Sequence, residues 1–135
     1  ETVLPLAGLH LLLAEDNELN SEIATALLEE QGASITAVEN GRLALEAIQN
    51  AAPRTYDAIL MDVMMPEMNG LEATRCIRAF EGKGPGEGTP IIAMTANVFA
   101  DDVKACLDAG MNSHVGKPLD MKVLIGEILK YTDAR

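Results

Sequence analysis

Five short apolar runs recur along the chain, and a stretch of helical periodicity follows each one. The runs occupy 9–14 (LHLLLA), 34–38 (SITAV), 57–61 (DAILM), 90–95 (PIIAMT) and 113–116 (SHVG). Runs this short and this apolar suit strands buried on both faces. The intervening stretches, 17–31, 41–50, 71–80, 100–109 and 120–131, space their apolar residues as helices do. Leu19, Ile23, Ala26 and Leu27 mark the first helix. Ala44, Leu45 and Ile48 face inward on the second, and Met121, Leu124, Ile125, Ile128 and Leu129 form one stripe on the last. Gly32 and Gly110 stand where a helix would stop. Strands alternating with helices imply a parallel sheet covered on both sides by right-handed crossovers. Five strands are too few for an eight-stranded barrel. The expected fold is therefore α/β, an open, doubly wound, five-stranded parallel sheet.

A chain of 135 residues fits one domain. Apolar residues make up 48% of it, yet no run approaches the ~20 needed to cross a membrane. The opening ETVLPLAGLH lacks the basic and apolar regions of a signal peptide. It begins with Glu1 rather than Met, which fits a fragment of a longer protein. The net charge of −11 argues against binding nucleic acid or an anionic membrane surface directly. Cys76 and Cys106 lack CxxC spacing and fall in apolar helical patterns. Buried, inert thiols in a reducing, cytoplasmic setting are expected, whether or not the parent protein is membrane-anchored. The segment 82–90 (GKGPGEGTP) holds four Gly and two Pro and reads as a mobile loop. It leads from a helix into a strand, at the sheet's N-terminal edge. Ligands of open α/β sheets bind at the opposite edge, so the loop is expected to be an insertion outside the site.

Chemistry collects at the C-terminal strand ends. Glu15 and Asp16 follow the first strand, Asp62 the third, Thr95 ends the fourth, and Lys117 follows the fifth. Three carboxylates held together repel one another, and a hard divalent cation such as Mg²⁺ relieves that repulsion. A lysine ammonium suits a phosphate oxygen, and a threonine hydroxyl donates a hydrogen bond. Each residue alone has a plainer role: a helix cap for Glu15 and Asp16, a turn cap for Asp62, an ordinary strand residue for Thr95, a solvated side chain for Lys117. The set together carries what one phosphoryl-transfer site needs.

The motifs AEDN at 14–17, ILMDVMMPEMNG at 59–70, AMTAN at 93–97 and GKP at 116–118 stand in order and in register with the strands. With them the chain resembles the receiver domains of two-component response regulators, over 9–131, with 1–8 as an extension or linker and 132–135 as a tail. The resemblance implies a flavodoxin-like (βα)₅ fold with strand order 2-1-3-4-5. It implies Asp62 as phosphoacceptor, and Mg²⁺ bound by Glu15, Asp16, Asp62 and the backbone carbonyl of Met64. It further implies Thr95 as switch hydroxyl, Lys117 as phosphate counter-ion, and the backbone N–H groups of Met64 and Ala96 as phosphate donors. A cis peptide is expected at Lys117–Pro118. His114 stands where receivers most often carry Tyr or Phe as a rotating switch; a partly buried strand residue is its plainer role, a pH sensor the lesser one.

EDNELN, MMPEMNG and AMTAN resemble receivers of hybrid histidine kinases most, which implies a phosphorelay from a histidine kinase phosphodonor toward a His-containing phosphotransfer protein. Such a domain promotes its own phosphorylation and dephosphorylation. A stand-alone receiver signalling by partner binding is the alternative. A dehalogenase-like aspartyl-phosphate hydrolase needs a second Asp two residues past the nucleophile, where Met64 stands. A flavodoxin needs a hydroxyl-rich first loop, where EDNELN is acidic. A donor would dock over 17–20 and the loop around Pro118, with Leu19 either exposed for docking or part of the core.

Overall fold

The computed structural model describes residues 4–84, 86–96 and 100–132. Its elements alternate along the chain: β1 (His10–Ala14), α1 (Glu18–Glu30), β2 (Ser34–Val38), α2 (Gly41–Gln49), β3 (Ala58–Asp62), α3 (Gly70–Glu81), β4 (Ile91–Thr95), α4 (Ala100–Ala109), β5 (Ser113–Gly116) and α5 (Met121–Thr132). The strands form one parallel sheet in the order β2-β1-β3-β4-β5. Fold class and strand order both match the expectation. Among the described residues no helix is long and apolar enough to cross a membrane.

The twofold period of a strand sorts its side chains between two cores. Leu11, Leu13, Leu60, Ile92 and Met94 pack with Leu28, Leu124 and Ile128 of α1 and α5. Leu12, Ile59, Met61 and Ile91 pack with Ala44, Ile48, Ala73, Ile77 and Cys106 of α2, α3 and α4. Helix starts are set by side-chain caps: Asn17, Asn40 and Asn69 accept from the amides of Asn20, Leu43 and Glu72. Each satisfies a backbone donor that the first helical turn cannot.

The packing departs from the sequence pattern in three places. On α1 the buried residues are Ala24 and Leu28, whereas Leu19, Ile23 and Leu27 are 63%, 50% and 37% exposed. Ala26 is exposed as well. Near the N-terminus, Leu6 is fully buried among the α1–α5 core residues, and its amide donates to the carbonyl of Gln31 at 2.8 Å. Leu6 of the expected extension thus joins the core, while Leu4, Pro5, Ala7 and Gly8 are exposed; residues 1–3 lie outside the described part. At the other end Thr132 is a buried last residue of α5, and 133–135 lie outside the described part.

Third, Gly86 and Thr89 of the glycine-rich loop are hydrogen-bonded to the rest of the fold, while Pro85 lies outside the described residues. The amide of Gly86 donates to Gly110, Asn112 donates to the Gly86 carbonyl, and Thr89 donates twice to Glu81. Behind it lies Arg78, a buried guanidinium. It donates to the carbonyls of Gly110 (3.0 Å) and Thr89 (2.8 Å), to Asn112 Oδ1 (2.9 Å) and to Glu81 Oε1 (3.0 Å). Burial lowers its pKa, and the neighbouring Glu81 and Glu87 partly restore it. Of the two cysteines, both unpaired, Cys106 is buried and Cys76 only partly so.

Candidate functional site

The register of the sheet builds the site. Ala14 lies opposite Met61, Asp62 opposite Met94, and Thr95 opposite Gly116. The residues that leave these strands, Glu15, Asp62, Thr95 and Lys117, therefore form one staggered row along the C-terminal edge. Parallel strands ending level put all their side-chain chemistry on one side of the sheet.

Within that row the carboxylates of Glu15, Asp16 and Asp62 offer oxygens that all lie within 4.8 Å of one another. Glu15 and Asp62 are buried, at 5% exposure each, while Asp16 faces solvent. Lys117 Nζ bridges the buried pair, 3.0 Å from Glu15 Oε1 and 3.1 Å from Asp62 Oδ2. Burial alone would pull the Lys117 pKa down. The hydrogen bonds and charges of Glu15 and Asp62 together outweigh that and hold it above the ordinary lysine value.

The loops around the row are held in place. The other oxygen of Glu15 accepts from the Asn17 amide at 3.1 Å, so Asn17 both orients Glu15 and caps α1. The cap that is the plainer alternative for Glu15 and Asp16 thus belongs to Asn17, whose sequence signal is an Asn three residues before Asn20. The Met64 amide reaches back toward Asp62 Oδ1 at 3.4 Å. Beyond it, the Gly70 amide donates to the Val63 carbonyl at 2.9 Å, and a side chain at Gly70 would collide with the carbonyl of Asp62. Glu67, in the same loop, takes a left-handed φ of 65° and accepts from Asn40 at 3.1 Å. This ties the β3–α3 loop to the start of α2.

Thr95 is buried at the end of β4, and Ala96 is the exposed residue after it. Asn97, the last residue of the AMTAN motif, lies outside the described residues. His114 is half-buried in β5, opposite Ala93. The Lys117–Pro118 peptide is cis, and the Lys117 amide donates to the Thr95 carbonyl at 2.9 Å. Met64 is 75% exposed beside Asp62, and Leu19 lies near the start of α1. The donor set, three carboxylates and no sulfur or imidazole, fits a hard cation such as Mg²⁺ rather than a soft metal.

Comparison with known proteins gives the same picture. The model of the response regulator receiver domain family matches residues 11–129. "Sensor protein GacS" of Pseudomonas syringae pv. syringae is 39% identical over 121 residues, covering 90% of this chain and 13% of that protein. The chain thus spans about one eighth of that relative's length. Among solved structures, the receiver domain of sensor histidine kinase PA1611 from Pseudomonas aeruginosa PAO1 is 38% identical, with a TM-score of 0.81. The match covers 94% of this chain and 99% of that one, and its crystal structure holds a magnesium ion in the active-site cleft. The Saccharomyces cerevisiae receiver of Ssk1, in complex with the histidine phosphotransfer protein Ypd1, superposes with a TM-score of 0.83 at 26% identity. That match covers 95% of this chain and 91% of the other.

Proposed function

The chain belongs to the response regulator receiver domain family, and from that premise we propose that it is a phosphorelay receiver that accepts a phosphoryl group on Asp62. The observation that carries this reading is the buried Asp62 carboxylate, bridged at 3.1 Å by Lys117 and set within a cluster of three carboxylates. The donor is a phosphohistidine of a histidine kinase or transfer protein. An Asp62 carboxylate oxygen attacks the phosphorus, the P–N bond breaks, and the imidazole nitrogen keeps its electron pair. Lys117 exchanges its contacts with Glu15 and Asp62 for a phosphoryl oxygen. The backbone N–H groups of Met64 and Ala96 and the hydroxyl of Thr95 hold the other oxygens. Glu15, Asp16, Asp62 and the Met64 carbonyl would hold Mg²⁺, which when bound supplies positive charge against the transferring phosphoryl. Catalysis on this account is positioning and electrostatics.

The acyl phosphate adds charge and acceptor oxygens at the end of β3. Thr95 moves toward it, and the surface beyond β4, with His114 on β5, is the element it biases. The group then passes to a His-containing phosphotransfer protein. The exposed Leu19 in the first turn of α1 supports a helical partner there, with Ile23 and Leu27 continuing the uncovered apolar surface along the helix. That the Ssk1 receiver has been crystallised with a histidine phosphotransfer protein supports the same class of partner. The kinship with a receiver of a sensor histidine kinase supports an origin in a hybrid kinase. Intact mass after incubation with acetyl phosphate and Mg²⁺ tests the central step. One phosphoryl should be gained, and none in Asp62→Asn; equal labelling of both proteins overturns it.

A further inference from the structure

We propose that a groove at the sheet edge opposite Asp62 binds a small anionic ligand carrying a flat ring. The groove, of about 740 Å³, lies between the end of α2 with its following loop and the end of α3 with the glycine-rich loop. Its volume falls in the range that holds small organic ligands, roughly 300–1,000 Å³. It opens beside the start of β3, whereas Asp62 ends that strand, ~13 Å further along the same backbone. The two sites share no residue, and no residue of β3 lines the groove.

Ring chemistry is concentrated there. The chain has only two Tyr and two Phe, and Tyr56 and Phe80 both line this groove. Phe80 is 53% exposed, an unusual setting for a phenyl ring. Tyr56 is fixed by the His10 ring, whose centroid lies 4.8 Å away. With Ile48 and Pro53 these rings give an apolar lining against which a flat ring can stack.

The charge is the opposite of the protein's own. Acids outnumber bases 21 to 10 in the chain, yet Arg54 and Lys83 stand on the two walls of this groove. Neither joins an ion pair among the described residues. The one carboxylate in the lining, Glu81, is engaged by Arg78 and by the amide and hydroxyl of Thr89. Two unpaired cations flanking an aromatic lining match an anion attached to a ring. Arg54 also sits at φ 67°, where a non-glycine residue is strained. The amide and hydroxyl of Thr55, both donating to the Ala52 carbonyl, close the turn that holds it there.

Two sources share this chemistry, a nucleotide and an aromatic carboxylate. Adenosine monophosphate and 2-naphthoate stand for them, with adenosine and inorganic phosphate as half-ligands. All four are titrated without Mg²⁺ into the ¹⁵N-labelled chain, with amide shifts as the readout. At least one of the first two should saturate shifts at 51–56 and 80–83, with Kd below about 1 mM, and which one does so identifies the source. Each half-ligand should bind at least about tenfold more weakly, because it loses the ring or the anion. Arg54→Gln and Lys83→Gln, at exposed positions, should each weaken binding about threefold or more while leaving the rest of the spectrum in place. Failure of both ring-bearing anions to saturate overturns the proposal. So does phosphate binding as well as adenosine monophosphate, or binding unchanged in both variants.

Discussion

Lys117 Nζ stands 3.1 Å from Asp62 Oδ2, an ion pair closed across 55 positions of sequence and inside a mostly buried pocket. On the proposed mechanism the same ammonium would pair first with the resting carboxylate and then with the phosphoryl group. Lys117→Ala should lower the rate of labelling by acetyl phosphate at least about tenfold, the worth of one charge-assisted bond of ~1.5–3 kcal/mol. Intact mass against time measures it, and an unchanged rate would remove Lys117 from the mechanism.

Asp16 is the exposed member of the carboxylate cluster. Mg²⁺ should raise the wild-type Tm with the logarithm of its concentration once that exceeds Kd, since a ligand of the native state stabilises it. Asp16→Asn should need several times more Mg²⁺ for the same rise. Identical titrations in the two proteins would show that Asp16 is no ligand.

Leu19 is 63% exposed, so Leu19→Ala should leave the Tm within about a degree of wild type. Transfer from a phosphohistidine protein should slow about tenfold, because a small transient interface rests on few residues. Labelling by acetyl phosphate, which needs no docking, should stay unchanged. A parallel loss in both reactions would refute docking through α1.

Leu6 is fully buried among core residues of β1, α1 and α5, so it should contribute to the stability of the fold. Leu6→Ala should cost about 2–4 kcal/mol in urea denaturation, through lost transfer energy and the cavity left behind. A cost below about 1 kcal/mol would make residues 4–8 a mere appendage.

Cys106 is 3% exposed, and burial, with a contribution from Asp102, pushes its thiol up. The unfolded thiol therefore ionises first, and this group's contribution to stability falls as pH rises past the unfolded thiol's range. In the native protein Cys106 should react with iodoacetamide at least roughly a hundredfold more slowly than in urea. Peptide mapping reads this, and fast native labelling would place the thiol at the surface.

The alternation of apolar runs and helical periods was enough to give the sheet, its parallel sense and the row of Glu15, Asp62, Thr95 and Lys117 at one edge. The reason is local: a strand apolar on both faces must be covered on both faces, and a polar residue directly after it can only sit at its end. Periodicity could not say what covers a stripe. Leu19, Ile23 and Leu27 have the spacing of a core face, but α1 turns Ala24 and Leu28 inward instead. Nor could it find Arg78, one more cation in a helical pattern, whose partners lie at Glu81, Thr89, Gly110 and Asn112. Nor could it pair Leu6 with a core built from α1 and α5. Those contacts depend on which distant surfaces the folded sheet brings together, and no short window of sequence carries that information.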